Sequence, residues 1–407
     1  MSRIEWTEND HATTGTATGA DRHAEASVQH ARWHSESGAA PPRRVAVVDD
    51  RTKAAIAYRL ACEGTALLWS GDFHGARQLL AALARRIDRK APAPRKAPAP
   101  GSPPAPGATV ADSFHLHRRA RGHRARVLGM LLVRLDDDYA LTLRRAPDVR
   151  AACHEAYGPP DGPMVVSLRE LLGVIGAHEW RSKGVPVPAL DGDRIHPHYG
   201  VFSPVRGEYV DLVARAPLPD AAVRDAPRPR TAFDIGTGTG VLAAVLARRG
   251  VDRVVATDIN PRALACARGN VERLGLAGRV EVVDTGLFPP GRAALAVCNP
   301  PWLPARPTSA VEQGVYDQGG AMLHGFLDGL ADHLEPAGEG WLILSDLAEH
   351  LELRSREQLL AAFDAAGLRV VDRLDIAPRH PRATDATDPL HAARAAEVTS
   401  LWRLTPG

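Results

Sequence analysis

The sequence predicts an open α/β sheet with helices on both faces, preceded by a mainly helical region. Three observations carry this reading. From 231 to 407, short β-rich runs alternate with helix-like ones, the pattern of parallel strands joined by crossover helices. The first run leads into a glycine turn, Gly236-Thr-Gly238-Thr-Gly240, which opens a helix. Later runs end in Asp258, Asp284 and Asn299, and the carboxyl ends of strands are where open α/β sheets bind ligands. The chain has 407 residues, enough for two or three domains.

Composition narrows the classes. Lys+Arg is 50 and Asp+Glu is 48, a net charge of +2, which excludes a whole-chain polycation but leaves local basic patches open. The only lysines are Lys53, Lys90, Lys96 and Lys183, so arginine supplies nearly all the positive charge. A hydrophobic fraction of 44% is ordinary for a globular chain. Cys62, Cys153, Cys266 and Cys298 are far apart, with no CxxC pair and no zinc-like spacing, so no disulfide frame and no metal are expected. Met1 to Asp10 lacks a signal-peptide core, and no window approaches the ~18 apolar residues of a membrane span. The expected setting is cytoplasmic, with no membrane partner.

Along the chain, residues 1–44 are polar and aperiodic and read as a disordered tail. In 45–88, Ile56, Leu60, Gly64 and Leu67 recur at helical spacing, a turn falls at Gly71-Asp-Phe, and Ala76, Leu79, Leu80 and Leu83 continue. The alternation of Gly64, Leu67, Ala76 and Leu80 resembles one tetratricopeptide-like helical hairpin, without a second copy. Residues 89–109 form a Pro/Ala-rich linker. Residues 110–192 read as a mainly helical accessory domain; its stretch Arg118–Arg126 is the most basic of the chain and is a candidate surface for RNA or an acidic partner. The catalytic candidate is 193–407.

In that segment, Gly236, Gly238 and Gly240 permit a tight turn and close approach of a ligand to the backbone. Gly238, Gly240 and Ala243 also fit the relaxed dinucleotide fingerprint, so a nicotinamide oxidoreductase is a rival on this loop alone. Asp258 ends the second strand 18 residues past Gly240, placed to accept bonds from ribose hydroxyls. Asp284, followed by Thr285, ends the third, where an acid can read an adenine amino group. The fourth, Ala294–Cys298, runs into Asn299-Pro300-Pro301-Trp302. Three further strands are expected at 340–345, 368–376 and 397–404, seven in all.

Asp234-Ile-Gly-Thr-Gly-Thr-Gly240 followed by Asn299-Pro-Pro-Trp302 resembles the class I S-adenosylmethionine-dependent methyltransferases. Within them it is similar to the small-domain branch that includes HemK-like glutamine methyltransferases and the adenine and guanine amino-methyltransferases. The likeness covers about half the chain, from near Val201 to Leu404. It implies a Rossmann-like seven-stranded methyltransferase sheet with α-helices on both faces. It implies a cofactor, S-adenosyl-L-methionine, held by Asp234, Gly236, Thr237, Gly238, Gly240, Asp258, Ile259, Asp284, Thr285 and Asn299. It also implies catalysis by Asn299, Pro300, Pro301 and Trp302. The Asn299 oxygen and Pro300 carbonyl would take the two N–H bonds of a planar amide or amine, and Trp302 would stack on it.

The implied activity is N-methyl transfer to a planar nitrogen of a protein or small molecule. The alternatives are methylation of a nucleic-acid base, with contacts at Arg118–Arg126 and Arg379–Arg394, and a cofactor-binding protein without catalysis. Arg206 and Glu208 match a family segment that closes over the cofactor, although its richer Pro-Arg-Pro pattern is missing. Two departures stand out. Trp302 replaces the Tyr of the glutamine enzymes, and the first 190 residues do not resemble their short helical domain.

Overall fold

The computed structural model describes residues 3–8, 27–90, 109–222, 229–307, 311–379, 384–386 and 388–407. The chain divides into two compact units: Met1–Ala97 with His117–His178, and Pro98–Leu116 with Glu179–Gly407.

The first unit holds a six-stranded sheet. Its strands are β1 (Arg3–Glu8), β2 (Ser27–Trp33), β3 (Arg44–Val48), β4 (Thr65–Trp69), β5 (Leu131–Leu135) and β6 (Met164–Ser167), in the order β1-β2-β6-β5-β4-β3. Its helices are α1 (Ala54–Cys62), α2 (Phe73–Lys90), α4 (Arg150–Tyr157) and parts of α3 (Val110–Leu128) and α5 (Leu168–Lys183).

Three sequence expectations are corrected here. The expected disordered tail 1–44 contains β1 and β2, paired antiparallel from Arg3↔Arg32 to Glu8↔Ser27. Ile4, Trp6 and Ala31 are buried with Leu68, Leu132 and Val165 of distant strands, so the burial that orders this segment is non-local and leaves no local period. The expected helical hairpin 45–88 is a β-α-β-α unit. Every residue of β4 is buried, and a strand covered on both faces gives a continuous apolar run that periodicity cannot separate from a helix. The expected mainly helical region 110–192 contains β5 and β6, paired antiparallel between Leu135↔Met164 and Leu132↔Ser167. The expected linker 89–109 falls largely on 91–108, outside the described residues.

The second unit opens with a small ribbon, β7 (Val185–Pro186) on β8 (Arg194–Ile195), then α6 (Glu208–Arg215). The main sheet follows: β9 (Thr231–Ile235), β10 (Arg253–Asp258), β11 (Val280–Asp284), β12 (Ala293–Cys298), β13 (Leu334–Ser345), β14 (Leu368–Ile376) and β15 (Thr399–Pro406). Their order is β11-β10-β9-β12-β13-β15-β14, with β15 antiparallel to both neighbours and the first five parallel. The seven-stranded sheet expected from the sequence is present.

Alternation places helices on both faces. Leu295 and Val297 of β12 and Trp341 and Ile343 of β13 pack with α6 and α7 (Val241–Arg248). Ala296 and Cys298, with Leu342 and Leu344, pack on the other face against α9 (Ala321–His333) and α11 (Arg356–Ala365). Between α7 and α9 the chain forms α8 (Pro261–Arg273); α10 (Leu347–His350) and α12 (His391–Ala396) complete the unit. Burying each large side chain of these faces contributes about 1.5–3 kcal/mol, which fixes the strand register and so the level at which each loop leaves the sheet.

Candidate active site at the strand ends

Register brings the predicted residues together. Ile235 of β9 pairs with Thr257 of β10 and with Cys298 of β12, and Asp258 pairs with Asp284. Gly236, Asp258, Asp284 and Asn299 therefore leave one edge of the sheet within a residue of the same level.

The glycine loop is tied from below. Asp234 is 1% exposed, and its Oδ2 accepts from Thr237 Oγ1 at 2.6 Å and from the Ala243 amide at 3.0 Å, pinning the loop to the first turn of α7. Burial pushes the Asp234 carboxyl up to about 6, against the lowering effect of those two bonds. With both bonds on one oxygen of a buried group, Asp234 positions the loop rather than offering itself to solvent. Gly238 has φ +55°, and a Cβ there would meet nothing within 4 Å, so its outer side is open; at Gly240 a Cβ would lie 3.2 Å from Ala267 Cα. One glycine thus leaves its backbone open and the other packs on α8.

Asp258 Oδ2 accepts from the Gly238 amide at 3.0 Å and Oδ1 from the Asn260 amide at 2.9 Å. Each oxygen keeps a lone pair for a ribose hydroxyl. Asn260 caps α8 by accepting from the Arg262 amide, and Pro261 takes the first helical position. Ile259 is 71% exposed at this edge, an apolar face suited to an adenine ring. Asp284 is exposed, and the Thr285 amide donates to the Asp258 carbonyl. An open glycine, a preset carboxylate and an exposed apolar side chain at one edge fit a nucleoside cofactor.

Asn299 and Trp302 are half-buried and Pro300 is buried. The Trp302 indole Nε1 donates to Asn299 Oδ1 at 2.9 Å. The chain then doubles back: the Leu303 amide donates to the Val315 carbonyl, and the Asp317 amide to the Leu303 carbonyl. Asp317 Oδ2 accepts from the Met322 and Leu323 amides at the start of α9. Beneath the tetrad, burial raises the Cys298 thiol well above its usual range, which keeps it protonated and inert.

Some functional candidates were not singled out in the sequence. A Cβ on Gly236 would come within contact of the Met322 side chain, so α9 closes one side of the glycine loop. Phe202 lies against Gly314, and Arg262 stacks over the Tyr199 ring at 5.7 Å.

Other expected residues lie elsewhere. Glu208 is buried and accepts from the Arg379 amide at 2.6 Å, while Arg206 is 3.7 Å from Glu397. In the expected basic segment Arg379–Arg394, Arg379 pairs with Asp211 at 3.0 Å and Arg394 with Asp388 at 2.9 Å; residues 380–383 and 387 are outside those described. Arg118–Arg126 is on α3. Among the described residues, no group of three His, Cys, Asp or Glu is arranged to hold a metal, and no helix is long and apolar enough to cross a membrane.

Residues 194–365 match the family described as the methyltransferase small domain. A ribosomal protein L11 methyltransferase of Pelotomaculum thermopropionicum is 54% identical over 71 residues, 17% of this chain and 23% of that protein. A release factor glutamine methyltransferase of Geobacter sulfurreducens is 32% identical over 163 residues, 36% of this chain and 54% of that protein. The chain thus spans about half or less of the length of these relatives. A solved ribosomal protein L11 methylase from Lactobacillus delbrueckii subsp. bulgaricus superposes with a TM-score of 0.34 at 18% identity, covering 52% of this chain and 86% of that one. With its glycine loop, its strand order and its Asn-Pro-Pro-Trp turn, the segment 194–365 resembles the methyltransferase small domain whose family it matches.

Proposed function

We propose that the second unit transfers the methyl group of S-adenosylmethionine to a planar amide or amino nitrogen of a protein, of the glutamine type. One observation carries this reading: Asn299-Pro300 leaves β12 beside the residue that pairs with Ile235, immediately next to the glycine loop. Two relatives bear names that specify a ribosomal protein and a release factor as their substrates, which supports a protein acceptor. All four cysteines are free thiols, which supports a reducing, cytoplasmic setting.

In this reading Asp258 takes the ribose hydroxyls, Ile259 covers one face of the adenine, and Asp284 with Thr285 meets the adenine edge. The open side of Gly238 lets the cofactor lie against backbone. When bound, S-adenosylmethionine supplies an electrophilic methyl group on its sulfonium. Asn299 Oδ1 and the Pro300 carbonyl accept the two N–H bonds of the acceptor nitrogen. Those bonds turn its lone pair out of conjugation and toward the methyl. The prolines fix φ and hold the carbonyl still. Trp302 offers its ring to the acceptor plane. No strong base is needed, because the proton is lost from a nitrogen already made cationic. Alignment of this kind supplies up to about 7–11 kcal/mol at its limit.

The test is transfer from radiolabelled S-adenosylmethionine into fractionated lysate. Label in the protein fraction supports the reading. Label in nucleic acid replaces the acceptor with a base amine, and cofactor binding with no label in any fraction contradicts catalysis.

A further inference from the structure

Charge in this chain is segregated. Helices α2 and α3 carry ten Lys and Arg against two acids, Asp88 and Asp112, while the whole chain is only +2. The remainder is therefore net acidic. On α2 the buried residues Phe73, Ala76, Leu79, Leu83 and Ile87 form one stripe, which turns Arg77, Arg85 and Arg89 to solvent. Arg124 of α3 pairs with Asp88 of α2 through two bonds, at 2.9 and 3.3 Å, and so sets the two helices side by side. Arg85, one turn before Asp88, and Arg121, one turn before Arg124, flank this pair. Arg85, Asp88 and Arg89 line a shallow depression there.

This arrangement works against the helices themselves. Arg85 and Arg89 are four apart and Arg121 and Arg124 three apart, spacings at which like charges repel. Arg77, Arg85, Arg119 and Arg121 bond to no acid among the described residues. Residues 119–123 are exposed on every side of α3, so packing does not explain their charge. Nor does the face have the apolar centre on which protein partners seat: among the described residues, no large hydrophobic is exposed on α2 or on α3 from His117 onward. Charge without apolar anchors is the signature of polyphosphate binding, and guanidinium forks match phosphate oxygens two at a time.

We propose that the α2/α3 face of the first unit binds the phosphate backbone of a nucleic acid, independently of sequence. The proposal stands whether or not the second unit methylates a protein. Arg85 and Arg89, about 6 Å apart along α2, and Arg121 on α3 neutralise successive phosphates.

Fluorescence anisotropy on the full chain tests it, with labelled 20-nucleotide RNA, DNA of the same sequence, and poly-L-glutamate as probes. The double variant Arg85→Glu/Arg121→Glu, its milder form Arg85→Gln/Arg121→Gln, and a control at exposed Arg369→Glu on β14 are compared, with folding checked by circular dichroism. Expected are binding of a nucleic acid at 50 mM salt and a loss of at least tenfold by 200 mM. The charge reversal should weaken binding a further tenfold or more, the Gln pair by less, and the control not at all. Equal affinity for RNA and DNA assigns the contact to phosphate alone, and RNA preference adds the 2′-hydroxyl. Absence of nucleic-acid binding, an equal loss in the control, or poly-L-glutamate bound as tightly as nucleic acid would overturn the proposal.

Discussion

The indole Nε1 of Trp302 donates to Oδ1 of Asn299 at 2.9 Å, three residues away in the same turn. A carboxamide can present either its oxygen or its nitrogen toward a given site. This bond selects the oxygen, anchors it, and leaves its second lone pair for an acceptor N–H. A phenol in place of the indole would reach differently, so the departure from the Tyr of the glutamine enzymes has a geometric consequence.

Trp302→Phe keeps an aromatic face but removes the donor. One hydrogen bond is worth about 0.5–1.5 kcal/mol, so kcat should fall about three- to tenfold with cofactor affinity unchanged. Trp302→Ala also removes the stacking face and should raise KM for the acceptor. Steady-state kinetics on the labelled acceptor fraction separate the two, and an unchanged kcat in the Phe variant would show that the bond does not orient Asn299.

Asp258 holds two backbone amides and, in the proposed complex, the ribose. Asp258→Ala should weaken S-adenosylhomocysteine binding by about ten- to a hundredfold, since bonds to charged groups are worth about 1.5–3 kcal/mol. Titration calorimetry measures this directly, and unchanged affinity would remove Asp258 from the cofactor site.

Asp234 links stability to pH. Burial raises its carboxyl from 3.8 to about 6, so the folded state binds the proton more tightly than the unfolded chain. Its contribution is complete below about pH 4 and is lost as pH rises through about 6. Asp234→Asn retains an oxygen for Thr237 and Ala243 and has no such titration. Urea unfolding of both proteins from pH 4 to 7 should show the variant gaining on the wild type as pH rises; parallel curves would contradict the buried, proton-linked carboxyl.

The second unit was legible because its signals are local. Gly236-Thr-Gly238-Thr-Gly240 needs positive φ, Asn260-Pro261 starts a helix by side-chain chemistry, and the strands alternate their faces. The first unit was not, because β4 pairs with β5 across 64 residues, from Leu67 to Leu131, and Thr65–Trp69 looks the same in a buried strand as in a buried helix. The sequence draws attention to Asp258 and Asn299 at the strand ends but not to Met322 beside Gly236, a non-local contact made by α9. Asp234, in the cofactor set that the resemblance implies, holds Thr237 and Ala243 through its Oδ2, a bond pattern that only the folded loop reveals.

In the proposed reaction Asn299 receives the acceptor nitrogen. Single-turnover transfer from radiolabelled S-adenosylmethionine to the acceptor protein, compared between the wild type and Asn299→Ala at saturating cofactor, tests it most directly. Asn299→Ala should lose transfer rate by about a hundredfold or more, in the range of removing one preorganised partner of a transition state, with cofactor affinity within about twofold of the wild type. A variant that transfers at the wild-type rate, or one that loses cofactor affinity in proportion to rate, would contradict it.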